Sequence, residues 1–267
     1  ETTYTKYQFT PANETSGCSN DGVVTVSMTE NHPDTQNNSW ACYAATAITA
    51  ADSSVNFAAY DTDSNGKLSV NELQVIFLVA GGESASYCYP SCSPGGVWGM
   101  ATELLCDANG DGVFSDESGE HGVTLDSVRL LGSTSSTNGQ NGFSQFGERQ
   151  GSSSITTWDA TIGVMAHELA HAYFLLPDLY DTRLSPINAG IGAFGLMGHG
   201  IWGYKSTSEK AGATPVHLSA WSKEKSKHLY SPNSFFRDKQ LYSACSSPKQ
   251  YSCSLLWNLQ SLNFHKR

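Results

Sequence analysis

No stretch constrains this 267-residue chain more than His167-Glu168-Leu169-Ala170-His171. Two histidines four residues apart face the same way only on a helix, where i and i+4 share one side. The surrounding residues predict such a helix from Asp159 to about Phe174. Asp159 is a candidate N-cap, Met165, Leu169 and Tyr173 recur at helical spacing, and Pro177 limits the far end. Both imidazoles can then face one metal ion, with Glu168 beside them to hold a metal-bound water without ligating the ion. Zinc suits imidazole nitrogens and an open fourth position, and it lowers the pKa of bound water towards about 7. A third protein ligand is still needed. In Leu176-Pro177-Asp178-Leu179-Tyr180-Asp181 the proline turns the chain so that Asp178 can return to the metal, with Asp181 as the substitute.

Elsewhere the pattern alternates between strand and helix. Val23–Met28 reads as a strand and the Ala-rich Trp40–Ala51 as a helix, while the apolar run 73–80 reads as a central strand buried on both faces. Residues 127–131 are a further strand candidate. The Ser-, Asn- and Gly-rich stretch from Gly132 to Ser154 reads as a long exposed loop, one wall of a cleft before the key helix. Gly190–Gly203 reads as a tight buried turn, and Thr214-Pro215 as the opening of a last helix to about Lys227. These elements predict an α+β fold, a mixed sheet with an active-site helix carrying the H-E-x-x-H motif.

Charge and cysteines bound the function. The net charge of −10 argues against a general nucleic-acid binder, and no apolar run is long enough to span a bilayer. The charge is uneven, a net −17 over residues 1–204 and +7 over 205–267. Seven cysteines, few lysines and many Asn, Ser and Gly suggest an oxidising, extracellular compartment. Proximity favours bridges Cys18–Cys42 and Cys245–Cys253, with one more among Cys88, Cys92 and Cys106; a structural zinc at Cys88 and Cys92 is the rival use. The chain opens Glu1-Thr2-Thr3-Tyr4, with neither a start methionine nor an apolar leader, and so reads as a secreted protein with its leader, or a propeptide, removed.

Two acidic loops add a second metal chemistry. Asp61, Asp63, Asn65, Lys67 (through its carbonyl), Ser69 and Glu72 fall at the ligand places of a calcium-binding EF-hand loop, with Gly66 at the turn. Because the central strand follows directly, this loop is expected to brace the fold. Asp107, Asn109 and Asp111 repeat the first half of the pattern and make a second calcium candidate, but position twelve is Ser118.

Four blocks then align in order with one family. The motif from His167 through Asp181, then Gly190-Ile-Gly-Ala-Phe-Gly-Leu-Met-Gly198, then Thr214 to Lys223, preceded by Tyr60-Asp61, Glu72-Leu73 and Val79-Ala80-Gly81, resemble the immune inhibitor A family of secreted bacterial zinc metallopeptidases. The resemblance covers roughly residues 55–225. It implies a metzincin-like fold, a methionine turn at Met197 beneath the zinc and an aspartate as third ligand. The compact metzincin pattern has Gly seven residues and its third ligand ten residues after the first histidine. Here Phe174 stands at the glycine's place and Asp178 comes one residue late, so the helix must end by a longer route. His199 and Tyr204 are candidates for stabilising the oxyanion, with His199 alternatively a fourth metal ligand.

The expected function is therefore a zinc endopeptidase acting on protein or peptide substrates, with Glu168 as general base and no serine or cysteine nucleophile. Residues 1–230 would form the catalytic domain, and residues 231–267 a basic, Cys-containing extension. The alternative is a noncatalytic calcium-dependent binding module on a dead peptidase scaffold.

Overall fold

The computed structural model describes residues 9–29, 40–86, 96–107, 109, 111, 120–132, 142–151, 157–181, 190–227 and 253–259. Among them the chain runs β1 (Phe9–Pro11), β2 (Val23–Thr25), α1 (Trp40–Ala51), β3 (Leu73–Gly82), β4 (Met100–Thr102), β5 (Val123–Leu125), β6 (Val128–Leu130), β7 (Phe143–Gly151), β8 (Thr157–Asp159), α2 (Ile162–Phe174), α3 (Ala220–Lys227) and β9 (Cys253–Leu259). The class is α+β with a mixed sheet. Its strand order is β1-β9-β3-β7-β4, with β2 also on β9 and β8 also on β7. Strands β3 and β7 run parallel, while β9 pairs antiparallel with β3 and β4 antiparallel with β7.

The apolar run behind β3 is explained by cover on both faces. Successive strand side chains point opposite ways. Val75, Phe77 and Val79 join Tyr43, Ala44, Ala47 and Ile48 of α1 and Phe143 of β7 in the main core. Ile76 points the other way, towards Phe146 of β7 and Val164 of α2, with Leu78 and Met165 packed alongside. The sheet therefore lies between α1 and α2, and the key helix is fixed against its second face.

Four expectations are corrected. The stretch 132–154 is not all loop, because it contains β7, an inner strand. Its polar side chains hide it from a hydrophobicity pattern, yet Ser144, Gln145 and Gln150 are buried. Distant partners bond two of them: Tyr43 Oη donates to Gln145 Oε1, and Thr161 donates to Gln150 Oε1 from both N–H (3.1 Å) and Oγ (2.9 Å). Asp159 is not the cap of α2. It ends β8, paired with Arg149, and Thr161 takes the N-cap position. The last helix starts only at Ala220, because residues 214–217 run alongside the glycine-rich turn: Thr214 N–H bonds Gly203 O and Val216 N–H bonds Gly200 O.

The fourth correction concerns the cysteines. Cys42 pairs with Cys106, their Cα atoms 4.9 Å apart, and not with Cys18, which is itself disulfide-bonded. Packing of α1 against the segment after β4 brings together two cysteines 64 residues apart, so nearness in sequence misled. Cys88, Cys92 and Cys245 lie outside the described residues. The basic C-terminal segment also contributes to the sheet, since β9 pairs with β1, β2 and β3.

Candidate metal centre

α2 begins where Ala160 N–H bonds Glu148 O, so the helix starts directly from the β7–β8 hairpin. Gly163 permits this close seat, since a Cβ there would fall 1.9 Å from Ile201 O. On this helix His167 and Glu168 are buried and His171 is half-buried, facing a cleft of about 500 Å³ that Trp98, Met100, Ala101, Leu175, Asp178 and Tyr180 also line.

Three ligand-type atoms converge there. His167 Nε2 and His171 Nε2 lie 2.9 Å apart, and Asp178 Oδ1 is 3.1 Å from the first and 3.3 Å from the second. The other ring nitrogens decide the protonation. His167 Nδ1 bonds Leu196 O at 2.9 Å and His171 Nδ1 bonds Leu176 O at 2.5 Å. A carbonyl can only accept, so each Nδ1 carries the hydrogen and a neutral ring presents a bare lone pair at Nε2. Two lone pairs and a carboxylate oxygen aimed at one point repel unless a cation lies among them. Their spacing of about 3 Å is what bonds of about 2.0–2.1 Å to one tetrahedral ion would give. The donor set therefore fits zinc.

The local backbone explains how Asp178 gets there. α2 runs to Phe174, and Leu175 then adopts a left-handed conformation (φ 52°), closing the helix with its N–H on His171 O at 3.0 Å. The helix is thus one residue longer than in the compact pattern, and the left-handed residue moves from the seventh to the eighth place after His167. Asp178 follows it by three, as in that pattern. The one-residue delay of the aspartate is absorbed within the helix. Asp181 remains outside the trio.

Electrostatics follow from this crowding. Burial pushes the Asp178 carboxyl up, but the hydrogen bonds and charges of His167 and His171 outweigh it and hold the group below the usual range. Burial lowers His171, but the Asp178 hydrogen bond, the Glu168 charge and the Leu176 carbonyl raise it overall. Glu168 is raised by burial, only partly offset by the neighbouring histidines and by a hydrogen bond from Ala101 N–H. A carboxylate with a raised pKa beside a candidate metal centre is suited to taking and returning a proton.

Met197 is fully buried, its carbonyl accepting from Leu179 N–H at 2.7 Å, next to the Leu196 carbonyl that orients His167. Neither oxyanion candidate lines the cleft. Tyr204 is 58% exposed, and the exposed His199 reaches the site only through Tyr180, ring centroids 6.0 Å apart. Tyr180 stands closer to the trio. It stacks near His167 (6.4 Å), hydrogen-bonds Asp178 and lines the cleft. Tyr180 was not among the sequence candidates, because no spacing rule tells which way a tyrosine in this turn points. The backbone groups of Leu176, Leu196 and Ala101 leave no trace in residue types.

In the first acidic loop, carboxylate oxygens of Asp61, Asp63 and Glu72 lie within 4.8 Å of one another. Asp61 accepts from Asn65 N–H and Gly66 N–H, and Glu72 from Thr62 and Ser69. Ser69 Oγ donates to Glu72 Oε2 at 2.9 Å, and the Lys67–Arg129 bridge ties the loop to β6. In the second loop Asn109 and Asp111 bond each other, and Ser118 lies outside the described residues.

A helix that aims two imidazoles and a carboxylate into a cleft, closed by a returning aspartate, has the donor set of a mononuclear metallohydrolase. Residues 106–233, just under half of the chain, match the family described as immune inhibitor A peptidase M6, catalytic domain. That match bears out the resemblance read from the sequence, and it implies a zinc metallopeptidase acting on proteins. No curated protein and no solved structure matches the chain. No helix among the described residues is long and apolar enough to cross a membrane.

Proposed function

We propose that the chain is a secreted zinc endopeptidase with a metzincin-like fold, in which His167, His171 and Asp178 hold the metal and Glu168 is the general base. The observation that carries this reading is the convergence of His167 Nε2, His171 Nε2 and Asp178 Oδ1 beside a buried carboxylate. Zinc bound there would supply a water acidic enough to ionise near pH 7 and would polarise the substrate carbonyl. Glu168, held by Ala101 N–H, takes the water's proton and returns it to the leaving amine. Tyr180 O–H steadies Asp178, and Met197 forms the floor. In this reading residues 1–230 form the catalytic domain, and β9 from the 231–267 extension completes its sheet. The Cys42–Cys106 bridge supports an oxidising compartment. Calcium in the Asp61–Glu72 loop braces the start of β3; the 107–111 loop is the second candidate for it.

Casein cleavage by zinc-loaded protein tests the assignment. The activity should be abolished by 1,10-phenanthroline, and Glu168→Ala should lose it at least about 100-fold while still binding one zinc. Undiminished cleavage by Glu168→Ala would discard the base. A folded, zinc-loaded wild type that cleaves nothing would instead favour the noncatalytic binding module.

A further inference from the structure

Glu83 is fully buried at the end of β3, yet it belongs neither to the donor trio nor to the calcium loop. Its carboxylate is saturated by backbone. Oε1 accepts from Ala85 N–H (2.9 Å) and Gly99 N–H (3.0 Å), and Oε2 from Gly147 N–H (2.9 Å). Three separate pieces of chain, the exit of β3, the approach to β4 and the middle of β7, are thus tied to one side chain. The glycines make this approach possible. A Cβ on Gly147 would lie 2.6 Å from Gly82 O and 2.7 Å from Glu83 N. A Cβ on Gly99 would lie 2.6 Å from Val164 Cγ1 of α2 and 3.3 Å from Glu83 Oε2, so the chain passes between the key helix and this carboxylate with no room to spare.

The tied segment is the wall of the cleft. Trp98, Gly99, Met100 and Ala101 all line it, and Ala101 N–H donates to Glu168. A second buried tie acts one residue earlier, where Gln145 Nε2 donates to Trp98 O at 2.9 Å and is itself held by Tyr43. β4 is only three residues long and ends the sheet, so its pairing with β7 alone is a weak constraint. We infer that Glu83 is a positioning residue for the peptidase: by fixing Gly99 it sets the cleft wall so that Ala101 N–H meets the Glu168 carboxylate. This rests on the function proposed above for Glu168. Glu83 itself touches no reacting atom.

The test uses the full-length, zinc-loaded protein with Glu83→Gln. The amide keeps the shape but replaces one acceptor oxygen with a donor, leaving a buried N–H unmatched. The second variant, Gly99→Ala, leaves Glu83 intact and pushes the wall off Val164. Both should keep one zinc and exchange the Gly99 and Ala101 amides at least about 10-fold faster than wild type. Both should also lower kcat by about 10-fold or more, with KM changed less than kcat. Ile48→Ala, a cavity in the core face of α1 that does not line the cleft, controls for lost stability and should leave both readouts near wild type well below its Tm. Glu83→Gln that is folded and zinc-loaded, with exchange and kcat within about twofold of wild type, would overturn the inference; so would an equal loss of kcat in Ile48→Ala. If wild type cleaves no substrate, the peptidase reading falls by itself. The amide exchange then decides alone, faster exchange at Gly99 supporting the Glu83 tie and unchanged exchange refuting it.

Discussion

Leu175 concentrates the chain's departure from the compact metzincin spacing in one backbone conformation. A left-handed residue with a side chain costs about 1–2 kcal/mol relative to the right-handed form, which is why helices end so often in glycine. Leu175 accepts that cost at φ 52°, half-buried against the cleft, and three residues later Asp178 arrives at the histidines. Leu175→Gly removes the strain and loses some packing, two effects of similar size. It should leave stability within about 1 kcal/mol of wild type and zinc affinity unchanged. Leu175→Val puts a β-branched residue in the same conformation. It should destabilise by about 1 kcal/mol or more and weaken zinc binding, because the turn that returns Asp178 is disturbed. Urea unfolding together with chelator-competition titration of zinc reads both effects. Equal behaviour of the two variants would show that the turn does not set the position of the aspartate.

At the scale of elements, what the sequence revealed and what it hid divide along one physical line. Local apolar patterns exposed α1, β3 and the body of α2: an Ala-rich run, a continuous apolar run and helical spacing each answer to the surface that the element buries. β7 was hidden, because its buried Gln145 and Gln150 are kept inside by bonds to Tyr43, Trp98 and Thr161, distant partners that no local pattern encodes. The donor trio was legible because helical spacing and a proline turn are local, and the carbonyls that orient it were not. Glu83 is the extreme case, a charged residue inside the sheet layer that reads as surface. Burial pushes its carboxyl up to about 7, against three N–H bonds that lower it. The fold thus holds this proton more tightly than the unfolded chain, where the value is 4.5. The stability so gained is complete below about pH 4.5 and lost as pH rises through about 7, about 3 kcal/mol over the window. Glu83→Gln cannot titrate, so the unfolding free energy of wild type minus that of the variant should fall across this range. A difference that stays constant from pH 4.5 to 7.5 would show that Glu83 stays ionised in the fold throughout.

For the whole molecule, the family match covers residues 106–233, but the sheet that supports α2 is completed from outside it, by β3 before and β9 after. What anchors β3 is the acidic loop immediately ahead of it. Glu72, the residue before the strand, holds Thr62 and Ser69, and the loop backbone pairs with Arg129 through Leu68 N–H (2.7 Å) and Gly66 O (2.9 Å). Three carboxylates within 4.8 Å repel one another, in a body that carries a net −17 over residues 1–204. A calcium ion would turn that repulsion into attraction in the folded state alone, because the unfolded chain cannot gather the ligands. At calcium 100-fold above its Kd the linkage is worth about 2.7 kcal/mol, an increase in Tm of about 5–10 °C for a chain of this size. The increase should vanish in Asp61→Asn/Glu72→Gln, while zinc content at His167, His171 and Asp178 stays at one. A wild-type Tm that is the same in EGTA and in millimolar calcium would show that the loop holds β3 by its own hydrogen bonds, with no ion in it.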